Sequence, residues 1–142
     1  MSCTHRLPGF RTACLLTSAI YVLLGASVLA RGGAAAMAEH AVPPATLASP
    51  HYADAIWWVY VHMIVIGLVT GVVGWYAEGA RLRRAFARMM LVAHAYYLFL
   101  DVRSSDTALG NGLYQGPASI IPAVIVLFVL LLFVHPSLCR EA

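Results

Sequence analysis

The sequence has few charged side chains. Asp, Glu, Lys and Arg together make up 11% of its 142 residues, whereas hydrophobic residues make up 61%. A soluble domain has about 25% charged residues. Because so few charges cannot coat a surface that faces water, the composition excludes an ordinary soluble domain. It predicts a membrane protein that is surrounded by the lipid bilayer.

Lysine is absent, and cysteine is scarce. The nine basic residues are all arginines, and they flank apolar segments without forming the continuous basic patch of a nucleic-acid-binding surface. We therefore expect no nucleic-acid partner. Cys3, Cys14 and Cys139 have neither a CxxC spacing nor a zinc pattern, and their odd number gives no disulfide framework.

Long apolar runs dominate the rest of the sequence. A helix that crosses the hydrocarbon needs about 20 apolar residues. We predict four such helices, at 12–30, 55–77, 85–102 and 118–134. Arg88 lies in the first turn of the third helix, from where its side chain can reach the interface. Pro122 lies in the first turn or so of the fourth, where proline costs little. The predicted fold class is therefore all-α, an integral membrane four-helix bundle in one domain.

The connections between these helices differ in composition. We predict a long loop at residues 31–54, which contains three prolines, and a short basic connection at residues 78–84. Residues 103–117 are rich in turn-forming residues and are predicted to form a second outer loop. His135-Pro136 is predicted to end the fourth helix.

Arginine asymmetry predicts the orientation in the membrane. Seven arginines share one side of the four-helix arrangement, and only Arg31 and Arg103 lie on the other. We therefore expect both termini to be cytoplasmic, in a multi-pass protein of a cell membrane such as the bacterial inner membrane. A cleaved signal peptide is the alternative for the first apolar run, but that run is long for a signal core.

Two of the predicted helices carry a line of polar and aromatic side chains. Each line contains an acid, an aromatic residue and a histidine on one helical face. The first stripe is Asp54, Trp58 and His62. The second stripe is His94, Tyr97 and Asp101. In both, the acid lies at the outer end of the helix and the histidine lies deeper.

The two histidines are expected at the same depth. The helix from Asp54 to His62 is about 12 Å long, and that from His94 to Asp101 is about 10.5 Å long. The short connection at 78–84 favours antiparallel neighbouring helices. We therefore expect the stripes to face each other, with the histidines in the outer half of the membrane.

A histidine inside hydrocarbon needs a partner for its ring nitrogen, so His62 and His94 are candidate functional residues. The alternative is a structural hydrogen bond between helices. Two histidines are few for a zinc site. Haem b needs only one or two axial histidines in an apolar pocket, so His62 and His94 are candidate metal ligands in that form. A quinone or another lipophilic small molecule also remains open.

The other members of the stripes have candidate roles around that site. Trp58 would bind the cofactor or ligand together with the histidines. Tyr97, Asp101 and Asp54 are candidate catalytic residues, because a chain of histidine, tyrosine and aspartate can also carry protons to the outer face. The alternatives are an interfacial aromatic belt for Trp58 and Tyr97 and simple solvation for the acids.

Three segments resemble the styrene oxide isomerase family. They are Trp58-x-x-x-His62, the run Tyr96-Tyr97-Leu98-Phe99, and the Gly-Asn-rich loop that ends at Gly116-Pro117. The resemblance covers roughly residues 58–117 in outline. Members of that family are small four-helix membrane enzymes that bind haem b through a histidine. They rearrange an aryl epoxide to an aldehyde, with ferric iron as Lewis acid toward the epoxide oxygen.

The resemblance implies that His62 is the axial ligand of haem b and that Tyr97, or its neighbour Tyr96, orients the substrate. The family's Asn-Gly pair after the histidine is replaced here by Leu68-Val69, and His94 has no clear counterpart in the family.

The architecture is also similar to DoxX-like small membrane proteins, which have four helices and often accompany redox or catabolic enzymes. Two functions therefore follow from the sequence. One is a membrane enzyme or cofactor protein that holds haem or a lipophilic substrate between the histidines, with an isomerase of epoxide-like substrates as one form. The other is a non-enzymatic accessory or quinone-binding subunit, within a larger membrane complex or a homo-oligomer.

Overall fold

The computed structural model describes residues 9–40, 44–105 and 117–138, and within these ranges it contains helices and no β-strand. The described part of the chain has five α-helices, with a 3₁₀ helix at Gly33–His40 between the first two. They are α1 (Phe10–Ala30), α2 (Pro44–Leu47), α3 (Pro50–Tyr76), α4 (Ala80–Ser105) and α5 (Pro117–Leu138).

Four of these helices are long and apolar enough to cross a membrane. The segments that qualify are Phe10–Ala30, Pro50–Tyr76, Ala80–Arg103 and Ile120–Leu138. The all-helical class and the four apolar helices predicted from the sequence are therefore confirmed.

The prediction of a long loop at 31–54 is wrong, because helices occupy most of that segment and α3 already begins at Pro50. The Ser49 carbonyl accepts hydrogen bonds from the amides of Tyr52 (3.1 Å) and Ala53 (3.2 Å). Pro50 takes the first helical position, where the missing N–H of proline has no cost. The polar residues that follow extend the helix beyond its apolar part.

Three other predicted helix ends also differ from the structure. α4 begins at Ala80 instead of residue 85, because the chain turns at Gly79, whose φ of 82° suits glycine. α5 begins at Pro117, so Pro122 lies inside the helix and beyond its first turn. α5 also continues through Pro136 to Leu138, and the Ser137 hydroxyl donates to the Val134 carbonyl at 2.7 Å in this last turn. In the second predicted outer loop, residues 103–105 are helical, and residues 106–116 lie outside the described part of the chain.

The chain forms two compact units, and each is described by itself. The first unit comprises Met1–Cys14 and Val73–Ala142, and the second comprises Leu15–Val72. In the second unit, α1 packs closely on α3 at glycine positions. A Cβ at Gly67 would lie 3.0 Å from the Cβ of Tyr21, and a Cβ at Gly71 would lie 2.6 Å from the Ser18 hydroxyl. Small residues at such positions allow the close helix approach that is common in membranes.

In the first unit, α4 packs against α5. Its fully buried side chains include Ala87 and His94 of α4 and Val129 and Phe133 of α5. At the start of α1, the ring of Phe10 meets the edge of the Phe86 ring at 6.1 Å. This packing places one member of the second stripe, His94, in an apolar interior.

Candidate functional site

His94 lies at the centre of the packed α4 and α5 surfaces. Its side chain is 1% exposed, and its Nδ1 lies 2.7 Å from the Met90 carbonyl oxygen one turn earlier. A carbonyl oxygen can only accept, so Nδ1 must carry the hydrogen of this bond. In the neutral ring this tautomer leaves the lone pair on Nε2, the nitrogen that can bind a metal or accept a hydrogen bond.

Aromatic rings surround the His94 imidazole on two sides. The Phe133 ring of α5 stacks against it with centroids 6.4 Å apart and an angle of 26°. Tyr97, one turn later on α4, presents its ring at 79° with centroids 5.7 Å apart. Phe133 is completely buried, whereas Tyr97 is 39% exposed. The imidazole therefore packs against one fully buried ring and one partly exposed ring, and is itself buried.

Asp101 lies one further turn along α4 from Tyr97. Its Oδ2 is buried and has no hydrogen-bond partner among the residues that the structure describes. A buried carboxylate oxygen without a partner is unfavourable, because the lost hydration is not replaced. Such an oxygen is suited to accept a hydrogen bond from a hydroxyl group or a water molecule, or to carry a proton itself.

The first stripe lies on the surface of α3. His62 and Asp54 are exposed, and Trp58 is 67% exposed. The rings of Trp58 and His62 stack at 4.8 Å with an angle of 18°. Nδ1 of His62 donates to the Trp58 carbonyl at 2.7 Å, so Nε2 carries the lone pair in its neutral ring too.

Both histidines thus have the same local arrangement. An Nδ1–H bond to a backbone carbonyl fixes the tautomer and the ring orientation in metal-ligating histidines and increases the basicity of Nε2. Residues His62 and His94 therefore fit the role of axial haem ligands chemically. Among residues 9–40, 44–105 and 117–138, no group of three or more His, Cys, Asp and Glu side chains could hold a metal ion together.

The predicted pairing of the two stripes stays a prediction. His62 belongs to the second compact unit and His94 to the first. Within its own unit, each histidine contacts the aromatic member of its own stripe. Tyr96, the alternative substrate-orienting residue of the resemblance, is 58% exposed and stacks with Phe99 at 6.3 Å. Of the Gly-Asn-rich loop, only Pro117 lies within the described part of the chain.

Three features of these sites were missed by the sequence reasoning. Phe133 had no signal of its own, because it stands in an apolar run where every position looks alike. The Met90 carbonyl is a main-chain group, although a bond from a histidine to the carbonyl four residues earlier is open to any histidine in a helix. The hydroxyl of Tyr52 is buried without a hydrogen-bond partner among the described residues, in a segment that was predicted to be loop.

No protein-family model, curated protein or solved structure matches the chain. The geometry of the two stripes and the composition of the helices that contain them are therefore the basis for a function.

Proposed function

We propose that the chain is a multi-pass membrane protein in which a site centred on His94 binds haem b or another lipophilic small molecule. One observation carries the proposal: His94 is 1% exposed, and its Nδ1–H is bonded to the Met90 carbonyl. That bond places the hydrogen of the neutral ring on Nδ1 and the lone pair on Nε2, the atom that a metal or a hydrogen-bond donor would contact. An imidazole in such a place is a candidate functional residue by default.

The outer surfaces of the helices support the membrane part of the proposal. Large apolar side chains are exposed on all four long helices, among them Leu23 (69%), Val72 (57%), Val92 (69%) and Leu131 (57%). Water-soluble proteins rarely expose so many apolar side chains over a continuous surface. Exposure of apolar side chains to water is unfavourable, and surrounding hydrocarbon removes this cost. The arginine asymmetry of the sequence then favours cytoplasmic termini.

The residues around His94 suit a flat, largely apolar ligand. Phe133 and Tyr97 offer ring surfaces, and the Tyr97 hydroxyl and the Asp101 carboxyl offer polar groups along the same helix face. If the ligand is haem b, its ferric iron supplies a Lewis acid. In an epoxide isomerase, Tyr97 would then orient the substrate through its hydroxyl, and Asp101 would hold a proton near the outer end of α4.

Variants of the two histidines test this proposal. Detergent-purified protein is incubated with hemin, and unbound hemin is removed. The expected result is a Soret band that His94→Ala removes, with His62→Ala as the matched variant on the exposed stripe. A band that disappears only in His62→Ala would contradict the His94 site and would favour the ligand implied by the styrene oxide isomerase resemblance. If hemin does not bind, mass spectrometry of organic extracts of the two proteins tests for a co-purified lipophilic molecule that depends on His94.

The exposed first stripe favours a second candidate function, that of an accessory or quinone-binding subunit. Asp54, Trp58 and His62 all lie on the surface of α3. A polar imidazole that faces hydrocarbon is costly, and contact with another chain or a quinone oxygen would relieve that cost. This candidate predicts that the protein co-purifies with a larger complex from its native membrane and that Trp58→Ala and His62→Ala abolish the association. An association that persists in both variants would contradict this candidate.

A further inference from the structure

We propose that the arginine face at the start of α4 binds the phosphate group of an anionic membrane lipid. This arginine face consists of Arg81, Arg84 and Arg88. The proposal rests on the membrane placement of α4, but it does not depend on any ligand at His94.

The three arginines lie on one side of the helix. α4 begins at Ala80, so their spacing of three and four residues places them one above another along the first turns. Like charges at this spacing repel each other. A bound anion removes that repulsion, and the positive end of the helix dipole at the α4 N-terminus acts in the same direction.

Two of the guanidinium groups are held by main-chain carbonyls. Nε of Arg84 donates to the Ala80 carbonyl at 3.4 Å, and Nε of Arg88 donates to the Ser137 carbonyl of α5 at 3.4 Å. Each of these bonds involves one of the five N–H donors of a guanidinium. The terminal nitrogens of a guanidinium held in this way have the fork geometry that matches phosphate oxygens.

The charge around the arginine face is strongly positive. Residues 78–88 contain four arginines, of which Arg83 is the fourth, and one acid, Glu78. The next acid in the described part of α4 is Asp101, which follows Arg88 by 13 positions, or about 20 Å of helix. Among the described residues around the start of α4, arginines therefore outnumber carboxylates, and this excess of positive charge favours a phosphate at the arginine face.

Neighbouring side chains favour a lipid over a soluble phosphate. The Arg11 guanidinium lies 3.8 Å from the centroid of the Trp75 ring, and Trp75 is 56% exposed at the end of α3. Exposed tryptophan paired with arginine is typical of the headgroup level of a membrane. Leu82 and Met89, which flank the arginine face on α4, are 54% and 56% exposed, so apolar surface for an acyl chain lies beside the phosphate donors.

The test measures lipid retention. Protein is reconstituted in bilayers of phosphatidylcholine mixed with phosphatidylglycerol, extracted in mild detergent, and analysed by native mass spectrometry for bound lipid. We expect the full chain to retain phosphatidylglycerol over phosphatidylcholine at least about tenfold, and Arg81→Gln/Arg84→Gln to lose that preference. Arg103→Gln, the same substitution at the opposite end of α4, should keep it.

Two further arms separate the possible outcomes. The doubly substituted Arg81→Lys/Arg84→Lys keeps the charge without the fork geometry and should retain an intermediate preference. Millimolar inorganic phosphate should not displace the lipid, and displacement by it would show a site for free phosphate and overturn the lipid assignment. Equal retention by the wild-type and Gln variants would also overturn the proposal. If Arg103→Gln also loses the preference for phosphatidylglycerol, the lipid is attracted by charge without a specific site, and the proposal is overturned. Protein that fails to insert into bilayers at all would instead contradict the proposed membrane placement.

Discussion

Replacement of Gly67 by alanine should destabilise the packing of α1 on α3. The added Cβ would lie 3.0 Å from the Cβ of Tyr21 and 3.2 Å from the Ser18 carbonyl oxygen. Neither atom can move away by a simple side-chain rotation, because a carbonyl oxygen belongs to the main chain and a Cβ is fixed to it. The helices must therefore separate by several tenths of an ångström.

Two opposing effects decide the magnitude. Overpacking of a tight contact typically costs about 1–3 kcal/mol. Alanine is also a better helix former than glycine by about 1 kcal/mol, which works in the opposite direction. Because the near atoms are rigid, we expect the packing cost to lie in the upper half of its range, about 2–3 kcal/mol, so the net loss of unfolding free energy is about 1–2 kcal/mol. Such a loss raises the ratio of unfolded to folded protein by about 5–30-fold.

The assay is unfolding by sodium dodecyl sulfate in mixed micelles, followed by tryptophan fluorescence and circular dichroism. Gly9→Ala is the control for an added methyl group without close contacts, since a Cβ at Gly9 would have nothing within 4 Å; because Gly9 precedes α1, this control includes no gain in helix propensity. Gly71→Ala should have a smaller effect than Gly67→Ala, because its nearest atom is the rotatable Ser18 hydroxyl at 2.6 Å and only one rigid atom, the Ser18 Cβ at 3.2 Å, lies close. Equal or greater stability of Gly67→Ala relative to wild type would refute the reasoning.

Two further predictions concern the first compact unit. Phe133→Ala removes a fully buried ring that stacks on His94, so it should lower the unfolding free energy by about 3–5 kcal/mol and reduce ligand retention. Denaturant titration measures the loss of unfolding free energy. A loss below about 1 kcal/mol would be inconsistent with this packing. Cys14 is a free, buried cysteine. Cys14 is therefore studied in a variant whose Cys3 and Cys139 are replaced by serine. Because only an accessible thiolate reacts, Cys14 should react with maleimide at least about tenfold more slowly in mild detergent than in sodium dodecyl sulfate. Similar rates in the two detergents would show that Cys14 is accessible.

The sequence predicts the four long helices well because hydrocarbon thickness requires long apolar runs, and such runs are visible in one sequence. It predicts the helix ends less well because charged and polar residues continue a helix without adding hydropathy. Arg81 and Arg84 lie inside α4, and His51 lies inside α3, although the sequence predicts connections at all three positions. The Ser49-Pro50 pair was a usable start signal, since serine is a common N-cap and proline suits the first helical position.

The candidate site was predictable only in part. The spacing of His94, Tyr97 and Asp101 places them on one face of any helix, and the contact between the His94 and Tyr97 rings agrees with that spacing. Whether a helix face is buried or exposed depends on its neighbours, and no local pattern distinguishes the buried His94 from the exposed His62. Phe133 stacks on His94 because of how α4 and α5 pack together. The spacing of residues within one helix gives no information about this packing.

The most direct test of the proposed His94 site is an absorption spectrum of the protein purified from its native membrane, with metal analysis of the same sample. We predict a Soret band with about one iron per site, and loss of both in His94→Ala while the helical circular dichroism remains. Alternatively, a colourless sample should contain a lipophilic molecule that His94→Ala loses. A folded protein that holds neither haem nor an extractable ligand, and that is unchanged by His94→Ala, would contradict the proposal.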